Sequence, residues 1–265
     1  GIYLAPPAPT DAWNLWHRAH IDRLFDRLIE NLVVWEDVNP NRVYLMGYSA
    51  GGDGAYQLAP RMADRWAAVS MMAGHPNDTS PLGLRNIGFA IFMGGRDAAY
   101  KRNEVAAEWK EKLAALRRED PDGYRHQVTI YPNKGHWMDG EDASSIDWMR
   151  KQVRRTLPNK VVWQQDDVTR HRFYWLATES PKAGTLVVAE RDGATIDLRS
   201  DDVAILSIRL NDEMVDLDQP VSVTSGARVL HDGVVPRTIA TLHKTLAERG
   251  DPASVFSGEL QVSLQ

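Results

Sequence analysis

The chain has 265 residues, 43% of them hydrophobic and 25% charged, with a formal net charge of −5 and no cysteine. That composition is that of a soluble globular protein with one large domain or two of ordinary size. It excludes a disulfide framework, a cysteine nucleophile and zinc–thiolate sites. No apolar run approaches the roughly 18 residues of a membrane span. The acidic balance argues against nucleic acid, which needs a clustered basic surface. Gly1–Pro7 has neither a basic stretch nor a long apolar core, so no signal peptide is legible. A mature secreted or periplasmic chain reads the same way, and compartment and oligomeric state stay open.

In chain order, Ile2–Ala5 reads as a first short strand. Ile21, Leu24, Phe25, Leu28, Ile29 and Leu32 then recur at spacings of three and four, which predicts an amphipathic helix. Val43–Met46, Ala67–Met72, Ile87–Met93 and Gln127–Tyr131 are short apolar runs, as strands buried on both faces should be. Helices are expected at about 103–118 and 144–155. This alternation up to Leu157 predicts an α/β fold with a parallel sheet.

Beyond Leu157 the rhythm changes. Leu186–Ala189, Thr195–Leu198, Val203–Leu210, Val221–Val223 and Arg228–Leu230 are β-like runs, separated by Asp192-Gly193, Ser225-Gly226 and Asp232-Gly233. A helix at about 237–248 precedes a last run near 258–264. Residues 158–265 therefore read as a small antiparallel, sandwich-like β domain after an α/β domain spanning 1–157.

The chemistry-bearing motif is Gly47-Tyr48-Ser49-Ala50-Gly51, between the second strand and a following helix. A tight strand-to-helix turn of this kind lifts the Ser49 hydroxyl above the sheet. It also aims the Ala50 N–H where an oxyanion would develop. An acid and a histidine should follow in that order, each after a later strand. Gly94-Gly95-Arg96-Asp97 and Gly135-His136 supply them, 48 residues after Ser49 and 39 residues after Asp97. His136 is then the base, and Asp97 holds its tautomer.

Gly47–Gly52, Gly94–Asp97 and Gly135–His136 resemble the three signatures of α/β-hydrolase serine carboxylesterases, nearest the polyhydroxybutyrate-depolymerase, feruloyl-esterase and phospholipase/carboxylesterase branches. The resemblance covers about residues 1–157 and implies cofactor-free hydrolysis of a small or polymer-linked ester through an acyl-enzyme. A peptidase of the same fold and a non-catalytic binding protein are the alternatives. The resemblance also implies eight strands, with the serine after the fifth. Only one strand is read upstream of Val43, so the α/β domain is expected to be N-terminally incomplete, without its second oxyanion donor.

Tyr48, His75 and Trp137 are the substrate-pocket candidates, His75 being the more readily explained as a loop-stabilising residue. Trp13, Trp16, Trp35 and Trp66 flank helices, where packing is the default. Arg172, Tyr174 and Trp175 read as an ordinary strand before a ligand contact. His17 and His20 lack a carboxylate partner at metal-binding spacing, and no metal is expected. Gly51-Gly52-Asp53-Gly54 lacks the lysine of a phosphate loop. The segment between about Met72 and Ile87 is too short for a cap, so the site should be open.

Overall fold

Four parallel strands form the first sheet, in the spatial order β1 (Tyr44–Tyr48), β2 (Ala68–Met72), β3 (Gly88–Gly94) and β4 (His126–Tyr131). They belong to a computed structural model that describes residues 1–8 and 10–264. Tyr44 lies opposite Ala68, Ala68 opposite Gly88 and Phe89 opposite His126, so the strands start nearly level and end nearly level. Helix α1 (Ala19–Trp35) precedes β1, α2 (Ala50–Arg61) connects β1 to β2, α3 (Arg102–Glu119) connects β3 to β4, and α4 (Ser144–Met149) follows β4. Every residue of β2 and β3 is buried, which is why these strands are continuous apolar runs with no alternation.

The predicted stripe of α1 turns Ile21, Phe25 and Ile29 into the core, where the Phe25 ring meets Trp66 edge-on at 5.8 Å. Trp16 packs against the same core, whereas Trp13 and Trp35 are 64% and 78% exposed, contrary to the packing expected of them. Ile2–Ala5 forms no strand: Ile2, Tyr3 and Leu4 are 54%, 86% and 47% exposed. Apolar composition becomes a strand only where a neighbouring edge completes its hydrogen bonds. Among the described residues no ladder reaches this segment. Helix α4 ends six residues short of its expected terminus at 155, because Arg154 is drawn inward. Its guanidinium bonds Asn41 Oδ1, the Asp64 carbonyl and Asp251 Oδ2 at 3.0–3.1, 3.0 and 2.7 Å.

The β-rich part contains β5 (Lys160–Gln164), β6 (Arg172–Phe173), β7 (Leu176–Ala177), β8 (Leu186–Asp192), β9 (Thr195–Asp201), β10 (Ile205–Leu210), β11 (Val221–Ser225) and β12 (Arg228–Gly233). Helix α5 (Ile239–Ala247) and β13 (Gly258–Ser263) complete it. They make a five-stranded sheet, β12-β11-β9-β8-β5, and a four-stranded one, β13-β10-β7-β6. The predicted turns at Asp192-Gly193 and Ser225-Gly226 close the β8–β9 and β11–β12 hairpins. The sheets are not wholly antiparallel, since β9 and β11 run parallel. β5 and β7 have no counterpart among the predicted strands, and the strand expected at Arg172, Tyr174 and Trp175 holds only at β6, since Tyr174 and Trp175 form the turn into β7.

One apolar cluster runs through both parts of the molecule, from Phe25, Trp66 and Phe89 to Trp163, Trp175 and Phe256. Buried ion pairs follow the same seam. Arg170 meets Asp22 at 3.3 Å, Arg154 meets Asp251 at 2.7 Å, and Arg249 pairs with Asp64. The Tyr174 hydroxyl donates to the Ala63 carbonyl at 3.1 Å.

Candidate active site

The C-terminal ends of β1, β3 and β4 lie at one end of the sheet, and the chain leaves each through a loop bearing one of the predicted polar residues. Ser49 follows β1 with φ 56° and ψ −118°, a conformation a non-glycine residue adopts only when its surroundings enforce it. The enforcing contact is at Gly47, where a Cβ would stand 1.9 Å from the Gly51 carbonyl oxygen. The Ser49 N–H donates to the Met72 carbonyl at 2.9 Å, tying the turn to β2. Ala50 then begins α2, and its N–H belongs to the first turn, which lacks intrahelical acceptors.

Asp97 follows β3 and His136 follows β4. Their loops touch closely enough that a Cβ on Gly94 would lie 1.9 Å from the Gly135 carbonyl oxygen, and the Arg96 N–H donates to the Lys134 carbonyl at 2.9 Å. The three side chains meet. Ser49 Oγ lies 3.0 Å from His136 Nε2, and His136 Nδ1 lies 2.6 Å from Asp97 Oδ2. The arrangement fits Nδ1–H donating to the carboxylate and Nε2 accepting from the serine hydroxyl. Asp97 is buried, while the His136 side chain is 43% exposed.

Tyr48 and Trp137 border this group. The Tyr48 hydroxyl donates to the His136 carbonyl at 2.6 Å, and its ring lies 5.9 Å from the His136 ring and 5.5 Å from that of Trp137. Burial pushes the Tyr48 hydroxyl pKa up, so it stays a donor at neutral pH. Trp137 is 66% exposed at the rim. His75 is occupied by its own loop: its N–H donates to Asp53 Oδ1 at 2.7 Å, and its ring Nδ1 accepts from the Asn77 N–H at 2.9 Å. Arg172, Tyr174 and Trp175 are buried in the β-rich part. His17 ends a short 3₁₀ turn and His20 lies in α1. Among the described residues no group of three or more His, Asp or Glu side chains is gathered as a metal would require.

Two residues near the site carried no distinctive sequence signal. The buried guanidinium of Arg102 lies 3.7 Å from Asp97 Oδ1, with the Tyr100 ring over it at 4.9 Å. An arginine five residues beyond an aspartate, at the start of a helix, gives no hint of this. Asp53, one turn into α2, is 6% exposed. Burial holds its pKa above the ordinary carboxylate value, against the opposing pull of the His75 N–H, Arg102 and His17.

No family model and no curated protein matches the sequence. Among solved structures, the chain is similar to a thermostable esterase (21% identity, TM-score 0.43), over 53% of this chain and 39% of that one. It is similar also to a carboxylesterase from Mesorhizobium loti (18% identity, TM-score 0.36, 49% of this chain and 59% of that one). A third is the Bacillus cereus carboxylesterase (17% identity, TM-score 0.38, 50% and 60%). In each case this chain spans less than two thirds of the other's length.

Proposed function

We propose that the chain is a serine carboxylesterase with Ser49 as nucleophile, His136 as general base and Asp97 as the group that orients it. The observation that carries this reading is the continuous chain of contacts, 3.0 Å from Ser49 Oγ to His136 Nε2 and 2.6 Å from His136 Nδ1 to Asp97. A serine hydroxyl is a poor nucleophile at neutral pH unless a base takes its proton as it attacks. In this reading Ser49 Oγ adds to the ester carbonyl carbon and its proton passes to Nε2. The Ala50 N–H then donates to the oxyanion, the kind of contact whose loss typically costs roughly 2.7–4 kcal/mol. Collapse expels the alcohol, which takes the proton from Nε2. Water then attacks the acyl-enzyme, gives a proton to His136, and a second collapse frees the acid and restores Ser49.

The exposed histidine and the rim position of Trp137 support an open site that admits an ester carried on a bulky alcohol or polymer. With Ala50 as the one oxyanion donor identified, an ester suits the site better than an amide, whose resonance must also be overcome. Residues 1–157 would form the catalytic unit and 158–265 an accessory one. Parallel assays with p-nitrophenyl acetate and an aminoacyl p-nitroanilide test the reading, together with fluorophosphonate labelling. Turnover of the acetate and labelling at Ser49 are expected. Preferential cleavage of the anilide would make the chain a peptidase, and an unlabelled, folded protein would make it a binding module. Because the site is open, the rate on a lipid-like ester should show no jump at its solubility limit.

A further inference from the structure

The opposite end of the parallel sheet carries a different chemistry. At the N-terminal ends of β2 and β3 lies a solvent-open recess of about 260 Å³, bordered by Arg85, Arg125, Arg155, Gln152 and Asp122. It lies open at the surface and has no deep interior, which leaves room for a small ion at its mouth. Four arginines gather about the turn from Asp120 to Arg125. Arg85 is neutralised, its guanidinium forking onto Asp120 at 2.7 and 2.8 Å, and Lys160 shares that carboxylate at 3.1 Å. The other three are held by neutral groups. Arg117 donates to the Gly123 carbonyl at 2.5 Å, Arg155 to the Asp122 carbonyl at 3.2 Å and Arg125 to Gln152 Oε1 at 2.8 Å.

Among the described residues, none of Arg117, Arg125 and Arg155 makes an ion pair, in a chain whose net charge is −5. Arg117 ends α3, where the helix dipole favours a cation whatever else is present. That explanation does not extend to Arg125, at the mouth of β4, or to Arg155, in the segment leading to β5. Their convergence is strong enough that burial, with Arg155 and Arg117 adding repulsion, lowers the Arg125 pKa. The acids nearby in sequence are Glu119, Asp120 and Asp122. Asp120 is already doubly paired, and the Asp122 carboxylate pairs with none of the three.

We infer that this recess is a binding site for a phosphate-type oxyanion, gripped by the unused N–H groups of Arg125 and Arg155 with Arg117 beside them. Guanidinium forks match such oxygens two at a time, and each arginine here spends a single identified N–H on the protein. A bound anion would tie the Asp120–Arg125 turn to the segment that joins the two parts of the molecule.

Titration calorimetry on the full chain at low ionic strength tests this, with inorganic phosphate and methyl phosphate as separate ligands and sodium chloride as the control. Saturable binding of one ion per chain is expected, at least tenfold weaker in Arg125→Gln and in Arg155→Gln. Arg125→Lys, which keeps the charge but not the fork, should fall between. Tighter binding of inorganic phosphate would identify the free ion, and tighter binding of methyl phosphate a phosphomonoester. Turnover of p-nitrophenyl acetate should be unchanged in all three variants, since the recess and Ser49 lie at opposite ends of the strands. Absence of saturable heat up to millimolar phosphate, or equal binding by the wild type and both glutamine variants, would overturn the inference.

Discussion

The loops above β1, β3 and β4 and the seam between the two parts of the molecule both concentrate polar groups, and they treat them in opposite ways. At the loops, Ser49 is held at positive φ and His136 is 43% exposed, and in the first turn of α2 behind Ser49 the buried Asp53 carries a pKa raised by burial. At the seam, arginines and carboxylates are withdrawn from water and matched. Asp64 is wholly buried, yet Arg249, with Arg170 and Arg65, outweighs that burial and holds its pKa below the ordinary value. Strain and open valences are tolerated where the proposed reaction would need them. The matched charges lie where two layers must stay in register.

The largest effect should come from breaking the first of these regions. Ser49→Ala is expected to lower kcat on p-nitrophenyl acetate by about 10⁴- to 10⁶-fold, with His136→Ala costing about as much, because the members act as a unit. Asp97→Asn should cost about 10⁴-fold through loss of the correct tautomer. The melting temperature of Ser49→Ala should not fall, since the mutation leaves no buried charge. Residual activity within tenfold of wild type would remove Ser49 from the proposed mechanism.

Breaking the seam should do the reverse, costing stability while sparing chemistry. Asp251 accepts from Arg154 at 2.7 Å, lies 3.7 Å from Arg65 and accepts the Ala253 N–H at 3.1 Å. Asp251→Ala would take the ion-pair partner from the Arg154 guanidinium, which is 1% exposed, a change that usually costs about 3–5 kcal/mol, while Arg65 keeps Asp26 at 3.1 Å. Arg154 keeps its bonds to Asn41 and the Asp64 carbonyl, which favours the lower end of that range. Urea denaturation measures the loss, and kcat below the transition should match the wild type.

The two regions also differ in how much of each could be read from the residues alone. β2 and β3 declare themselves because burial on both faces demands unbroken apolar runs. The Ser-Asp-His order is legible because each member follows its own strand at a tight glycine turn. The seam is not legible. Arg154 ends α4 early by reaching across 97 residues of sequence to Asp251, and no local pattern reports such a partner. Ile2–Ala5 fails in the other direction, having strand composition but no paired edge. β6 and β7, at two residues each, are too short to show any period.

Acid should dissolve the seam first. A carboxylate whose folded pKa lies below its unfolded value contributes stability that is present above the unfolded value and lost as pH falls through the folded one. Asp64, at the seam, and Glu248, which pairs with Arg172 and Arg209 inside the β-rich part, are both of this kind. Burial raises each, but Arg249 with Arg170 and Arg65 outweighs it at Asp64, and Arg209 with Arg172 outweighs it at Glu248. The melting temperature should therefore hold steady near neutrality and drop once pH falls below about 4, the ordinary carboxylate range. Glu248→Gln should flatten that drop. A melting temperature independent of pH down to about 3 would show that these carboxylates are not held in their charged forms by folding.

The smallest effect, and the one that separates the two regions by sign, concerns Asp53. Its pKa is raised, so the folded chain prefers the protonated form, and the ionised form lowers stability at neutral pH. That cost is lifted as pH falls through the folded pKa, the opposite of what Asp64 does. Asn at position 53 keeps an oxygen to accept the His75 N–H while removing the charge. It also gives up a favourable interaction between a carboxylate in the first turn of α2 and the helix dipole, worth about 0.3–1 kcal/mol. Relief of the burial penalty on the carboxylate is expected to exceed that loss, so the net sign favours Asn. Asp53→Asn should melt above the wild type at pH 8 by no more than roughly 2–4 °C, corresponding to about 1 kcal/mol for a chain of this size. The gap should close as the wild-type carboxyl becomes protonated on acidification. A melting temperature lower than wild type at pH 8 would mean that Arg102 and the His75 N–H dominate. Asp53 would then belong with the matched charges of the seam, although it sits a single helical turn from Ser49.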